Sequence, residues 1–146
     1  ERGFMDLSKS IDRFLEPLRT AYPTALAEVS RGRKESHWMW YIFPQLRGLG
    51  RSTLAWYYGL EDLAEARVYL DHPVLGPLLR EITAAVLALP EADPARVFGW
   101  PDNMKFRSCL TLFAQVSEDD LFVKTLDKFF GGEQDPLTLE LLEENG

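Results

Sequence analysis

Apolar residues recur at steps of three and four along most of the chain, and this period limits the possible folds more than any other feature. Between Ser10 and Ser30 the apolar positions are Ile11, Phe14, Leu15, Leu18, Tyr22, Leu26 and Val29. Side chains at this spacing share one face of an α-helix. Pro23 lies inside the pattern and predicts a kink or a break into two helices, and Gly32 is well placed to end it.

The same period returns further along the chain, between residues that begin or end helices. Ser52 has the chemistry of an N-cap, Pro73 and Pro101 suit a first helical turn, and Gly131-Gly132 suits a helix end. These signals predict helices over 61–70, 74–89, 101–116, 119–130 and 136–142, with one helical turn at 95–98. No segment shows a convincing strand ladder. The sequence therefore predicts an all-α, mainly helical fold.

Length and composition fit a single domain. The chain has 146 residues, of which 46% are hydrophobic and 27% charged, as in ordinary globular proteins. Met5 would be a natural start, so we expect the domain to span residues 5–146 and residues 1–4 to be a cloning remnant. No apolar run approaches the roughly 20 residues that cross a bilayer. The single cysteine, Cys109, suits a reducing compartment. We therefore expect a cytoplasmic protein without a membrane partner.

Charge is distributed unevenly along the chain. The formal net charge of −7 argues against general nucleic-acid binding, and the excess of acid lies entirely from Ser117 onward. Residues 31–51, before this acidic part, contain one acid, Glu35, and five basic residues. We call these five the basic group: Arg31, Arg33, Lys34, Arg47 and Arg51. Two interpretations are open: the group meets a phosphate or an acidic partner, or it pairs with the acidic C-terminal part of the same fold.

The densest segment of aromatic and polar residues runs from Gly32 to Gly50 and reads GRKESHWMWYIFPQLRGLG. The helical period fades there, and Pro44 prevents regular structure from continuing. We expect a long aromatic-rich loop or a short extended piece. Structureless loops of this length in a compact domain are usually functional.

This segment supplies the first candidate site residues. His37 can act as a general acid or base near neutral pH. Trp38 and Trp40 can stack on a ring, and Arg33 and Lys34 can hold an anion. The alternative is that His37 bridges backbone groups and the tryptophans fill the core.

A second dense segment, FGWPDNMKFRSCLTLF at residues 98–113, supplies the other half of the candidate site. Asp102, Asn103, Lys105 and Ser108 lie in the first turns of a predicted helix, where free amides attract anions. The alternative is a capping acid, a solvated lysine and a serine that bonds to its own helix.

Several other kinds of chemistry are not indicated. Two histidines and one cysteine without ligand spacing make a zinc site improbable, and no glycine-rich phosphate loop occurs. Cys109 lies mid-helix, where packing is the commoner role. His72 precedes Pro73 at a helix junction, so we expect its imidazole to accept hydrogen bonds from free amides there. We expect no metal and no cofactor.

The motifs together resemble one family. The segments 32–50 and 98–113, with DHPVLGPLL and FFGGEQDPLTLELL, are similar in sequence and order to the bacterial domain-of-unknown-function family 1810. Its members often carry the label calpastatin, although calpain inhibitors of that kind are expected to be disordered and this chain is not. The resemblance implies a mainly helical fold and no established activity. A looser similarity is to small helical ADP-ribose N-glycosidases of the NADAR group, without residue correspondence.

These observations lead to two functional hypotheses. The first is a protein that binds a phosphate-bearing nucleotide or ADP-ribose-like ligand between segment 33–45 and the helix that starts at Pro101, and in an enzymatic version hydrolyses it. His37 or Asp102 would be the acid or base, and the binding residues would be Arg33, Lys34, Trp38, Trp40, Gln45, Asn103, Lys105 and Ser108. The second is a non-catalytic interaction module or homodimeric adaptor, with exposed aromatic residues as its contact surface.

Overall fold

Helices account for most of the fold, as the period of apolar residues predicts. The computed structural model describes residues 4–145. Its helices are α1 (Phe4–Ile11), a 3₁₀ turn (Asp12–Phe14), α2 (Leu15–Ser30), α3 (Met39–Ile42), α4 (Thr53–Tyr58), α5 (Leu63–Asp71), α6 (Leu75–Leu87), α7 (Pro94–Phe98), α8 (Asp102–Ala114), α9 (Leu121–Phe130) and α10 (Pro136–Asn145). Residues 4–145 contain no β-sheet, so the fold is all-α.

The first helical region differs from its prediction in one respect. Helix α2 continues through Pro23, so of the predicted kink or break, the break into two helices is wrong. The interruption lies earlier, at the 3₁₀ turn between α1 and α2. Pro23 is exposed, and the carbonyl that loses its intrahelical bond belongs to exposed Arg19. Water can satisfy that carbonyl, so the missing bond does not end the helix.

The aromatic segment is ordered by a short helix and one strand-like pairing. Helix α3 occupies its middle, and the extended chain around Leu46 pairs in parallel with Leu60. In this pairing the Arg47 amide donates to the Leu60 carbonyl at 2.7 Å, and the Leu60 amide donates to the Gln45 carbonyl at 3.0 Å. The predicted loop is therefore a folded layer that holds α4 against the rest of the molecule.

Helix α8 passes through the core and joins the two dense segments. The Phe106 ring lies 5.0 Å from Phe43 of the first segment and 4.5 Å from Phe98 just before the helix. Cys109, one turn further on, is fully buried, and this burial raises the pKa of its thiol well above the usual value. Packing is therefore the role of Cys109, because a neutral buried thiol is a poor nucleophile.

Capping residues fix where the helices begin and end. The Ser52 hydroxyl accepts from the Ala55 amide at 3.0 Å, as its N-cap chemistry predicts. Nδ1 of His72 accepts from the Val74 amide at 3.0 Å and from the Leu75 amide, which confirms the structural role expected of this histidine. Within residues 4–145, none of the helices combines the length and apolar character that crossing a bilayer requires.

Candidate functional site

The chain between α2 and α3 folds around the buried carboxylate of Glu28. One oxygen, Oε1, accepts from the amides of Glu35 and Ser36 and from the indole Nε1 of Trp38, at 2.8 to 2.9 Å. The other oxygen accepts from the Ser36 hydroxyl at 2.5 Å. Four donors from one short stretch thus converge on one side chain. These bonds determine the path of the polar half of the aromatic segment.

Glu28 is ionised at neutral pH despite its burial. Burial alone would raise the pKa of this carboxyl, but the hydrogen bonds from Ser36, Glu35 and Trp38 outweigh it and lower the pKa to about 2. Sequence reasoning missed Glu28. The available signal was its position among Ala25 and Val29 on the apolar face of α2, where an acid requires buried donors.

Trp38 is consequently a core residue. Its side chain is 1% exposed, and its ring packs against Phe43 at a centroid distance of 6.2 Å. A buried ring bound to Glu28 offers no face to a ligand at the surface. The geometry therefore matches the alternative interpretation for this tryptophan, whereas Trp40 is only partly buried.

The two dense segments meet in a cluster of three charged side chains. Asp102, in the first turn of α8, lies between two ammonium groups, with Lys34 Nζ 2.9 Å from Oδ2 and Lys105 Nζ 3.5 Å from Oδ1. The Lys34 side chain is 7% exposed and also donates to the Ser36 carbonyl at 2.6 Å. Two cations face one anion, so the formal charges of the three side chains sum to +1, and Lys105 is the most exposed of them. Such a charge attracts an anionic group.

Backbone contacts hold this cluster in place. The Lys34 amide donates to the Val97 carbonyl at 2.7 Å, which joins the first segment to the end of α7. Asp102 follows at the start of α8, where the free amides favour a carboxylate. The cluster is therefore built by tertiary contacts between the segments and not by neighbours in sequence.

Lys105 extends from the cluster into a surface groove. Its Nζ lies 5.7 Å from the centre of the Trp40 ring, a cation–π distance. Lys105 and Trp40 line a small cavity together with Gln45 and Tyr58. The centre of a water-sized sphere can move within about 10 Å³ of this cavity, which is room for about one water molecule. This cavity is too small for a nucleotide.

A larger, open groove continues from Gln45 and Lys105 across α8. On the same measure its volume is about 230 Å³, and its walls include Met104, Ser108 and Leu137. This volume lies below the roughly 300–1,000 Å³ of typical ligand pockets and is too small for a whole dinucleotide. The groove therefore suits a small ligand, or part of a larger one.

The remaining candidate residues lie in different places. Arg33 and Lys34 line a second open groove with Arg96, beside the end of α7, so the predicted anion holders are divided between two surfaces. His37 is exposed, and it lines none of these described cavities. The side-chain oxygen of Asn103 is buried, and no hydrogen-bond partner for it is found within the described part of the chain.

Ser108 is already engaged within the protein. Its hydroxyl lies 2.7 Å from Oδ2 of Asp135 and 3.1 Å from the Met104 carbonyl. The second contact is the predicted bond of this serine to its own helix. The buried Asp135 also accepts from the Thr138 hydroxyl at 2.6 Å. Asp135 lies just before α10, and its bonds dock that helix on α8. Asp135 marks one wall of the groove, a role that its sequence position before Pro136 did not reveal.

The basic group does not pair with the acidic C-terminal part. Within residues 4–145, the ion pairs of this group are Arg31 with Glu35 at 3.1 Å and Lys34 with Asp102. C-terminal acids pair elsewhere, for example Asp119 with Arg80. The interpretation in which the two ends of the charge distribution neutralise each other is therefore wrong. Among these same residues, no three side chains of metal-ligating type come together.

The fold and its groove define a class of small all-α protein with cationic and aromatic residues on one concave surface. A family model described as "Protein of unknown function (DUF1810)" matches residues 8–142. The chain belongs to this family. It is also similar to the crystal structure of the conserved hypothetical protein Rv1873 from Mycobacterium tuberculosis, at 43% identity and a TM-score of 0.88, over 90% of this chain and 95% of that one. No curated protein matches.

Proposed function

We propose that the protein binds a small phosphate-bearing ligand of the nucleotide or ADP-ribose type in the groove beside Lys105. The observation that carries this proposal is the cluster of Lys34, Asp102 and Lys105, whose formal charges sum to +1 and whose Lys105 lines the groove. An anion at Lys105 would balance that charge. The free buried thiol of Cys109 fits a reducing bacterial cytoplasm as the setting.

Each side of the groove contributes one kind of contact. Lys105 supplies the cation for a phosphate, and the Gln45 amide lies beside it as a hydrogen-bond donor and acceptor. Met104 lines the groove, and the partly buried Trp40 ring lies 5.7 Å from Lys105 Nζ at the adjoining small cavity, so both offer an apolar surface for a sugar or base. Asp102 has the role of a positioning residue, because both of its oxygens face ammonium groups.

Binding is better supported than hydrolysis. A general base needs a free oxygen or nitrogen near the reacting atom, and Asp102 has both oxygens in ion pairs. His37 lies outside the described cavities and would have to act from their edge. A hydrolytic activity would therefore require a ligand that extends beyond the groove toward His37.

Titration calorimetry with AMP, ADP, ribose 5-phosphate and ADP-ribose tests the proposal. We expect at least one of them to bind, and Lys105→Gln to weaken that binding about tenfold through loss of a charged contact. Lys124→Gln is the matched control, because Lys124 is an exposed lysine on α9 in an ion pair with Asp120. Binding that is equal in both variants, or absent for all four compounds, would contradict the proposal.

The alternative function, an interaction module or homodimeric adaptor, has its own observation. It needs aromatic side chains that are exposed and not part of the core, and Trp56 and Tyr57 of helix α4 are exposed in this way. Trp56 and Tyr57 line neither the groove nor the small cavity beside Lys105, although Ala55 and Tyr58 of the same helix line that cavity. The two functions are therefore compatible.

A further inference from the structure

Helix α4 exposes three of its five apolar side chains. Its sequence is TLAWYY, yet none of these six described residues is buried. Trp56 is 60% exposed, Tyr57 51% and Leu54 44%. Short helices in proteins are normally held by an apolar face against the core. The half-buried Tyr58 ring lies 5.5 Å from that of Phe14 and gives α4 an apolar contact with the core, which backbone hydrogen bonds supplement.

Two arginines hold α4 by its carbonyl groups. Nε of Arg13 donates to the Tyr57 carbonyl at 2.7 Å, and its Nη2 donates to the Gly59 carbonyl at 2.9 Å. Nε of Arg47 donates to the Trp56 carbonyl at 2.9 Å. These carbonyls lie at the end of the helix, where backbone donors are few, and that of Trp56 also accepts from the Gly59 amide at 3.3 Å. The backbone is thus fixed while the side chains remain at the surface.

The Arg13 anchor is itself rigid. Its guanidinium forms an ion pair at 3.2 Å with Glu65, whose side chain is almost completely buried. Hydrogen bonds from Arg13, from Ser10 and from the Glu61 amide to this carboxylate lower the pKa of Glu65 against the effect of burial. A charged and immobile support below an exposed aromatic helix is a preorganised contact surface.

The charge beside these aromatic rings is positive. The Arg47 guanidinium lies 4.8 Å from the centre of the Trp56 ring. Arg51 is exposed and lies two residues before the start of α4. Residues 47–58 contain two arginines and no acid. Tryptophan, tyrosine and arginine are the residues most enriched at the energetic centres of interfaces.

We propose that the α4 surface, formed by Leu54, Trp56, Tyr57, Arg47 and Arg51, docks an acidic segment of a partner protein that carries an apolar anchor residue. Charge complementarity selects this partner. A second copy docked through the same surface would bring Arg47 and Arg51 of both copies together, which is repulsive. An anionic membrane would face the whole protein and its net charge of −7, whereas a short segment faces only the local cations.

Selection from a displayed library of random 12-residue peptides tests the proposal directly. We expect enriched peptides that combine an aromatic or leucine residue with flanking Asp or Glu. A synthetic peptide of the consensus should bind in titrations, weaken at least about tenfold with Trp56→Ser and with Arg51→Glu, and weaken further as salt rises. Exposed positions make both variants compatible with folding.

Matched controls lie elsewhere on the surface. Trp100→Ser removes a tryptophan that is 80% exposed before α8, and Arg19→Glu reverses an exposed arginine on α2. Both should bind the peptide as the parent does. The proposal is overturned if no acidic consensus is enriched, if the controls lose as much affinity as the α4 variants, or if Trp56→Ser instead dissociates a homodimer or abolishes binding to phosphatidylserine vesicles.

Discussion

Two short parts of the chain place their tryptophans in opposite environments. In residues 31–38 the Trp38 indole is buried and donates to Glu28, and the loop converges inward on one carboxylate. In α4 the Trp56 ring is exposed, and the helix is held by backbone bonds from Arg13 and Arg47 and by the half-buried Tyr58. Both parts combine aromatic rings with charged groups. In the first the charge stabilises the fold, and in the second it leaves a surface available for contact.

This difference shows that an aromatic-rich segment has no function by composition alone. The role of a tryptophan depends on whether the neighbouring charged residue bonds to the indole, as Glu28 does to Trp38, or to the backbone carbonyl, as Arg47 does to Trp56. Trp38 satisfies the buried Glu28, so its removal should affect stability. In the described part of the fold, the interaction found for the Trp56 ring is a cation–π contact with Arg47. The comparison predicts a graded series of effects.

The largest effect is expected from Glu28→Ala. Removing the carboxylate leaves the Trp38 indole, the Ser36 hydroxyl and two amides without their acceptor in a buried place. Each unsatisfied buried donor is costly, so the free energy of unfolding should fall by about 3–5 kcal/mol. Urea unfolding followed by tryptophan fluorescence measures this change.

Glu16→Ala provides the control for that measurement. Glu16 forms an exposed ion pair with Arg19 on the same helix, and such pairs contribute little. The free energy of unfolding of Glu16→Ala should stay within about 0.5 kcal/mol of that of the parent protein. If Glu28→Ala were equally mild, Glu28 would not organise the loop.

A somewhat smaller effect is expected from acid. The pKa of Glu28 is about 2 in the folded protein, against an ordinary value of 4.5. Because the folded pKa is the lower one, the contribution is complete above about pH 5 and is lost as pH falls toward about 2. The shift corresponds to about 3 kcal/mol. Glu65, whose pKa is also lowered, acts in the same direction.

Urea unfolding at a series of pH values from 6 to 2.5 checks this prediction. The parent protein should lose stability steeply over that interval, because the unfolded state binds the proton more readily. Glu28→Gln should show a shallower slope, since one titrating group is absent. Parallel slopes in the two proteins would contradict the assigned pKa.

The helical fold was predictable from sequence because its signals are local and repeated. Helix α9 is an example: apolar residues recur at helical steps, and Gly131 adopts the left-handed conformation that ends it. Boundaries at Ser52 and His72 follow from their own side-chain chemistry. The error at Pro23 arose because solvent exposure, which decides whether a lost bond can be tolerated, is not visible locally.

The candidate site was only partly predictable. The sequence indicates that Lys34 and Asp102 belong to polar-aromatic segments, but their ion pair depends on how α7 and α8 turn back on the chain. Likewise, nothing local distinguishes Trp38 from Trp40, although one is buried and the other reaches Lys105. The importance of Arg13 was missed because its partners, the α4 carbonyls, are backbone atoms without a sequence signature.

The smallest effect on stability is expected from Trp56→Ser, although tryptophan is the largest side chain in the protein. The ring is 60% exposed, so little apolar area returns to water on unfolding, and the Arg47 bond to the residue 56 carbonyl does not depend on the side chain. The unfolding free energy should change by no more than about 0.5 kcal/mol. Urea unfolding monitored by circular dichroism measures it without relying on the deleted fluorophore. A loss above about 2 kcal/mol would mean that Trp56 packs against the fold as Trp38 does, and the contrast between the two regions would disappear.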